Sequence, residues 1–560
     1  LTTESLPENN PAESQAQEET NARVARATGV VALGNITSRV LGLAREIVLT
    51  NLFGATRAVD AFNVAIIVPK ALYDLLIGGH VNSALVPVLS EVAAREGRQA
   101  LWQLVSLLSS IVTIALALMV LALEVFAPQI VSLVGGGFDG QTLALATTLL
   151  QLTAPALIFL GLFAVLSGTL YALREFTWPA FAVTVFNGCI VVMTLVFAPA
   201  IGLSPRLAPN GALALTAARP AEGVVVVAIG WLVGAFAQMA IQLPGMRGAR
   251  LRMRLDWRNP SLRRIGKLYA PVMFSLIMDT LIIRTFSYNL ASQTGEGSIG
   301  YMTWATTLIQ FPQGLVATAI SIAILPTLAR QSALIATEGD KAFKDTLGLG
   351  LRLATTLILP AAVGLFALAA PIVALLFQHG AFTAHDTQMT VLALRWYLVG
   401  LPFAAVDLLL VYAFYARQDT FTPALIGVFS LAVYMLVAAL LFPRFGLFSL
   451  MIADSVKFVV HSTISWLLLS RRMGGFGGQR LVATGLRAGV ASVLMGLAGA
   501  GALALLERWI QLDTLIHELL LVGISGGISL VVFVLAAALL RIDELRWMGK
   551  MLARRLSRNP

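Results

Sequence analysis

Charge is what this chain has least of. Only 12% of its 560 residues are charged, against 58% hydrophobic, and the mean hydropathy is +0.83. A soluble fold has no interior large enough for that much apolar surface, whereas a bilayer core of about 30 Å requires runs of about 20 such residues. Cysteine is nearly absent as well. The single Cys189, inside an apolar run, excludes an intrachain disulfide framework and a thiolate metal site, and reads as a small buried hydrophobe. There is no Walker loop, no His/Glu metal cluster and no Ser/His/Asp arrangement, so neither an enzyme, nor a metal centre, nor nucleotide hydrolysis is expected. The net charge of +10 does not point to nucleic acid, because the arginines and lysines cluster between apolar runs, where a membrane protein keeps them.

What the chain does have is apolar runs, at roughly 28–53, 58–90, 101–134, 141–172, 177–202, 223–246, 265–292, 298–329, 346–378, 388–416, 421–442, 446–470, 481–507 and 515–541. Lipid offers backbone groups no partners, so runs of this length are spanning helices, and fourteen of them predict an all-α integral membrane protein. Connectors after even-numbered runs are basic, most of all the block from Arg247 to Lys267, while those after odd-numbered runs carry few cations. The positive-inside rule then places both termini in the cytoplasm and Asn210 and His385 outside. Residues 1–25 hold Glu4, Glu8, Glu13, Glu18 and Glu19 and almost nothing apolar, which predicts a disordered cytoplasmic tail rather than a signal peptide.

Two local patterns recur at nearly one offset. ALVPVLS at 84–90 returns as AILPTLA at 323–329, and YALREFTWPA at 171–180 returns as YARQDTFTPA at 415–424. A shift of six helices preserves topology, so the chain is expected to form two parallel, pseudo-symmetric six-helix lobes, 26–248 and 265–470. A basic connector, 249–264, joins them, and a two-helix extension with a basic tail fills 471–560.

A charge at membrane depth costs at least about 2.5–3.5 kcal/mol, so each one marks a candidate site. The first span holds Arg39, Arg45 and Glu46. The arginines lie about 9 Å apart along a helix and about 120° apart around it. A bend at Gly42, midway between them, would turn both guanidinium groups into one cavity, which makes Gly42 a candidate hinge. Arginine suits phosphate, with a planar fork and a charge that does not titrate away. Arg45 could instead pair with Glu46 or Asp60. Ser38, Asp60, Lys70 and Arg284 are the further candidates for substrate contact, although Lys70 and Asp74, four apart, could neutralise each other. Asp279 and Asp407 are candidates for an ion site, and Asp454 with Lys457 reads as a self-compensating pair.

The segments SRVLGLARE (38–46), NLFGATRAVDAFNVA (51–65), ALVPVLSE (84–91), FPQG (311–314), ILPTLA (324–329), FQHGAFT (377–383) and FYARQDTFTP (414–423) together resemble the MurJ/MviN family of lipid II flippases, within the MOP exporter superfamily. The resemblance covers essentially everything after residue 25. It implies two six-helix lobes around a cavity of alternating access, with two further helices for the lipid tail. It also implies an undecaprenyl-pyrophosphate-linked substrate, most simply the peptidoglycan precursor lipid II. Arg39 and Arg45 match two of the family's cavity arginines, whereas the other two fall on Tyr73 and Thr307, and two family acids fall on Gly78 and Thr306. Asp279 resembles a helix 7 acid of a cation site in some members, but helix 11 has Tyr434 and Ala438 where that site's polar partners would stand. A flippase for another polyprenyl-linked glycan, such as an O-antigen or exopolysaccharide unit, and a cation-coupled drug exporter on the same scaffold are the other readings. The partners implied are the glycolipid and membrane lipids. A monomer is expected, with no cofactor beyond a coupling monovalent cation or proton.

Overall fold

The computed structural model describes residues 11–71, 80–197, 203–207, 213–217, 220–249, 251–256, 258–266, 282–508 and 515–545. Lobe 1 comprises α1 (Pro11–Phe53), α2 (Arg57–Ala65), α3 (His80–Arg95), α4 (Gly97–Val134), α5 (Gly140–Thr153), α6 (Ala156–Ala172), α7 (Thr177–Val196) and α8 (Pro220–Ala240). Lobe 2 comprises α9 (Arg284–Ser292), α10 (Ser298–Pro312), α11 (Ala319–Ala333), α12 (Lys341–Ala367), α13 (Ala369–Phe377), α14 (Ala384–Ala416), α15 (Phe421–Phe445) and α16 (Phe448–Arg472). α17 (Leu481–Leu506) and α18 (Leu515–Leu539) follow. Eleven helical segments among the described residues are long and apolar enough to cross a membrane. The first expected span lies within α1, and the second and seventh include residues 72–79 and 267–281, outside the described set.

Two expectations change. The tail is helical from Pro11, continuous with the first span, rather than disordered over 11–25. Its Ala, Glu, Gln and Arg are strong helix formers, and extending a helix that the span has already nucleated carries no nucleation cost. The all-helical expectation also missed an antiparallel hairpin between α7 and α8, Leu203–Leu207 paired with Leu213–Ala217. The signal was present in the sequence, since Asn210-Gly211 is a favoured hairpin-turn dipeptide.

The repeat holds at the level of single hydrogen bonds. In the α6–α7 turn Arg174 has φ +63°, its N–H reaches the Tyr171 carbonyl, and the Glu175 N–H reaches that of Leu170 at 2.8 Å. In the α14–α15 turn Gln418 has φ +59°, with its N–H on Tyr415 and the Asp419 N–H on Leu170's counterpart, Phe414, at 3.0 Å. Likewise α3 and α11 each carry an internal proline, Pro87 and Pro326, and a basic last turn.

The buried core shows how the lobes meet. One cluster runs through both, from Leu49–Ile67 and Phe186–Ala235 of lobe 1 to Ile299–Leu308 and Val391–Ala405 of lobe 2. Toward the connector each lobe has its own core, around Leu89, Leu101 and Leu166 in lobe 1 and around Phe343, Leu409 and Phe414 in lobe 2. The lobes are thus fused at one end, here the latch end, and separately packed at the connector end. α17 lies on α12 through small residues: a Cβ on Gly496 would come 2.7 Å from Val363, and Ala488 and Ala491 are fully buried. Close approach of this kind is how helices associate in lipid, where apolar burial alone favours no partner. Arg352 of α12 binds Glu544 (2.7 Å) and the Gln479 carbonyl (2.6 Å), tying the extension to lobe 2.

Candidate functional site: the junction of the lobes

α1 carries the two arginines and runs through Gly42 as unbroken helix. On a continuous helix the arginines diverge, and they do not share one cavity. Arg45 turns into lobe 1, donating to Asn187 Oδ1 (3.0 Å) and Glu46 Oε1 (2.6 Å), with its guanidinium 5.9 Å from the Trp231 ring centre. That Asn187 also donates to the Ser38 carbonyl (3.4 Å). Pairing with Glu46, weighed above as the structural alternative for Arg45, is what occurs.

Arg39 does the opposite. It is exposed and crosses to lobe 2, where Nη1 donates to the Gln310 carbonyl (3.4 Å). Gly314 lies directly against it: a Cβ there would sit 2.4 Å from Nη2. Gly314 belongs to the FPQG motif, in the π-helical turn Gln313–Thr318 between α10 and α11. A π-turn shifts the helical ladder by one residue, a distortion common where a helix carries function. Arg39 stands fourteen residues before the end of α1 at Phe53, roughly 21 Å from the latch end.

Asp60, a candidate substrate contact, has another task. It is fully buried, and its Oδ2 and Oδ1 accept the N–H groups of Gly297 (2.8 Å) and Gly300 (3.0 Å). A carboxylate of lobe 1 therefore caps the N-terminus of α10 in lobe 2, where unpaired amides and the helix dipole favour negative charge. Around it the Arg57 N–H reaches Glu296 (3.0 Å), the Arg57 guanidinium the Ser292 carbonyl (3.3 Å), and the Ala381 N–H the Asn51 carbonyl (2.8 Å). Gly54, at φ +60°, fits against Ala381, whose carbonyl oxygen a Cβ would approach to 2.5 Å. NLFGATRAVD and FQHGAFT thus meet across the lobes as a latch.

Between latch and Arg39 lies a cavity of about 20 Å³ lined by Arg45, Asn63, Lys70, Trp231, Thr303 and Trp304. That is room for about one water and far too little for a pyrophosphate, so the lobes are closed there. Ser38 Oγ turns back to the Asn35 carbonyl (2.9 Å), and Thr306 and Thr307 bond to carbonyls of their own helix. Arg284 opens α9, half-buried. Asp279, Tyr73, Asp74 and Gly78 lie outside the described residues. Asp454 and Lys457 form the expected pair (2.5 Å), with the ammonium 5.7 Å from the Tyr434 ring centre. Asp407 is not at the junction; it faces His461 inside lobe 2. Asn187, Gln310 and His461 escaped the sequence reading. Asn187 and His461 belong to no local sequence pattern, while Gln310 acts through its backbone, which leaves no trace in side-chain type.

Two pseudo-symmetric helical lobes, fused at one end of a membrane bundle and separately packed at the other, define a transporter of the two-lobed exporter fold. Among solved structures, the chain shares this fold with a lipid II flippase MurJ in an inward closed conformation (TM-score 0.72, 21% identity, 92% of this chain and 99% of that one). It also shares it with an inward-facing multidrug MATE transporter of the MOP superfamily (TM-score 0.63, 15% identity, 79% and 96%). In sequence it is 31% identical to the lipid II flippase MurJ of Burkholderia cenocepacia, over 78% of this chain and 82% of that protein. It is 28% identical to the probable lipid II flippase MurJ of Haemophilus influenzae, over 85% and 92%. The family model for the lipid II flippase MurJ matches residues 49–521. The chain belongs to the MurJ family.

Proposed function

We propose that this chain translocates lipid II, the polyprenyl-linked peptidoglycan precursor, across the cytoplasmic membrane by alternating access. Family membership supports the reaction, and one observation supports the mechanism: Arg39 is an exposed cation at the place where one lobe touches the other. A pyrophosphate leaving water for a low-dielectric wedge loses much hydration, and a guanidinium with several donors offsets that loss best. Among the described residues Arg39 makes one long bond, to a carbonyl, which a phosphate oxygen can displace. The latch end faces outside and the connector end the cytoplasm, in keeping with the exposed basic segment that follows Arg247. In this inward-facing arrangement the headgroup enters between the separately packed lobe ends, while the polyprenyl tail stays in lipid beside α17 and α18. Opening the latch and closing the connector end then delivers it. Asp279 remains our candidate for ion coupling. Thr306 and Thr307, neutral and bonded to their own helix, favour a second reading, a differently charged polyprenyl-linked glycan.

Purified chain in proteoliposomes containing labelled lipid II tests the proposal, with quenching of outer-leaflet label as the readout. Transfer by the parent and its loss in Arg39→Ala is the expected result. Equal transfer by both would remove Arg39 from the mechanism, and thiol labelling of a cysteine at position 385 from the cytoplasmic side alone would reverse the orientation.

A further inference from the structure

Lobe 2 holds a titratable cluster that substrate binding does not use. Asp407 of α14 and His461 of α16 face each other, Oδ1 to Nδ1 at 2.5 Å, and Ser465 Oγ lies 3.3 Å from the same nitrogen. Their side chains are only 12% and 13% exposed. Asp407 stands nine residues before the end of α14 at Ala416, and His461 eleven before the end of α16 at Arg472. At 1.5 Å per residue both are roughly 14–16 Å inside their helices, at membrane depth. Gly427 of α15 forms the third wall, its absent Cβ 3.9 Å from His461 Nε2.

Charge counting decides what this cluster binds. An ionised Asp407 beside a neutral imidazole leaves a net negative charge between two packed helices, which is costly away from water. An imidazolium makes the pair neutral, its Nδ1–H donating to Oδ1. Four cations on these and neighbouring elements are paired, Lys457 with Asp454, Arg472 with Asp419, Arg352 with Glu544 and Lys344 with Asp340, and α16 also carries Arg471 in its last turn. α14 adds Tyr412 and Tyr415 near Asp407, and Tyr397 and Arg395 farther along. α10 brings only Tyr301, bonded to Asp386 at the latch end, and α11 only Arg330 in its last turn. α12 also carries Lys341 and Asp345, both in its first turns, and α15 has Tyr434 and Arg444 more than a turn beyond Gly427. α13 and the π-turn bring none.

We propose that Asp407, His461 and Ser465 form a proton-binding site whose occupancy sets the packing of α14 against α16 and, through α14, the state of the latch. With the proton bound the helices close over a neutral pair; when it leaves to water, the residual negative charge drives hydration and separation. α14 can carry the signal because it is one helix from the site to Asp386. That residue closes the α14 capping box with Thr383 and accepts from Tyr301 of α10, the helix Asp60 caps. Pro402, five residues before Asp407, interrupts the ladder and gives α14 a place to bend.

The link to transport rests on the flippase reading; proton binding does not, so two measurements separate them. The first follows the thermal midpoint of the full-length protein in detergent between about pH 5.5 and 8.5, with no substrate, comparing the parent with His461→Gln and Asp407→Asn. His461→Gln keeps a donor for Asp407 but cannot titrate. An inflection in the parent that both variants lack is the expected result; an inflection of unchanged size and position in both overturns the site. If either single variant fails to fold, the Asp407→Asn/His461→Gln pair, neutral and still able to hydrogen bond, decides in its place. The second is the lipid II transfer rate in proteoliposomes over the same range. A parental change of about threefold or more, flattened in the variants while their best rate stays within about threefold of the parent, supports coupling. A flattened midpoint with an unaltered rate profile overturns the coupling and leaves the proton site.

Discussion

Removing the Asp60 carboxylate should open the latch without unfolding either lobe, because both of its bonds cross between lobes. Asp60→Ala deletes two charge-assisted hydrogen bonds to the Gly297 and Gly300 amides in a fully buried site. Such bonds contribute about 1.5–3 kcal/mol each. The freed amides regain water once the latch parts, so the loss falls on the closed state alone. Taking the low end for each gives about 3 kcal/mol, a shift of roughly 100-fold toward the open state. Asp60→Asn keeps one acceptor and turns an NH2 toward the other amide, for about half the effect, roughly tenfold. Spin labels at Gln141 and His385, both exposed and on opposite lobes, report the change once Cys189 is replaced. The expected result is a population at longer distance that grows from parent to Asp60→Asn to Asp60→Ala, with unchanged far-ultraviolet circular dichroism. Identical distance distributions in all three would refute the latch.

Other outcomes follow from the same geometry. Burial opposes ionisation of Asp419, but bonds from the Thr422 hydroxyl (2.6 Å) and amide (2.9 Å) and from Arg472 prevail and hold its carboxyl at about 2. A folded value below the unfolded one stabilises above about pH 4 and is lost as pH falls toward about 2. The midpoint gap between parent and Asp419→Asn should therefore be present at neutral pH and close across that window; a constant gap would contradict it. Arg352→Ala strands the buried Glu544 and should cost about 3–5 kcal/mol, releasing the C-terminal helices to limited proteolysis near residue 540. Arg352→Ala with Glu544→Gln should recover part of that loss. Gly314→Ala would push a methyl into the Arg39 guanidinium and should lower lipid II transfer with little change in thermal midpoint.

Much of this architecture was legible because bilayers constrain sequence strongly. The run count and the basic connectors follow from hydropathy and charge alone, the six-helix offset follows from two recurring residue patterns, and the α6–α7 and α14–α15 turns repeat because similar residues occupy similar backbone positions. Side-chain direction was less legible. Spacing placed Arg39 and Arg45 about 120° apart but could not say which partners each would meet, Gln310 for one and Asn187 with Glu46 for the other. Asp60 read as a substrate contact because its partners are backbone amides about 240 residues away, and amides look alike in every sequence. The Asp407–His461 pair joins residues 54 apart, with no local pattern to announce it. The helical tail went unread because its polar composition fits disorder and helix equally well.

The central claim, that Arg39 holds the phosphates of a polyprenyl-linked precursor, is tested most directly by rescue of bacteria depleted of their own lipid II flippase. At equal membrane abundance the parent should restore growth, Arg39→Lys should restore it in part because it keeps charge but not the fork, and Arg39→Ala should fail. Full rescue by Arg39→Ala would contradict the account.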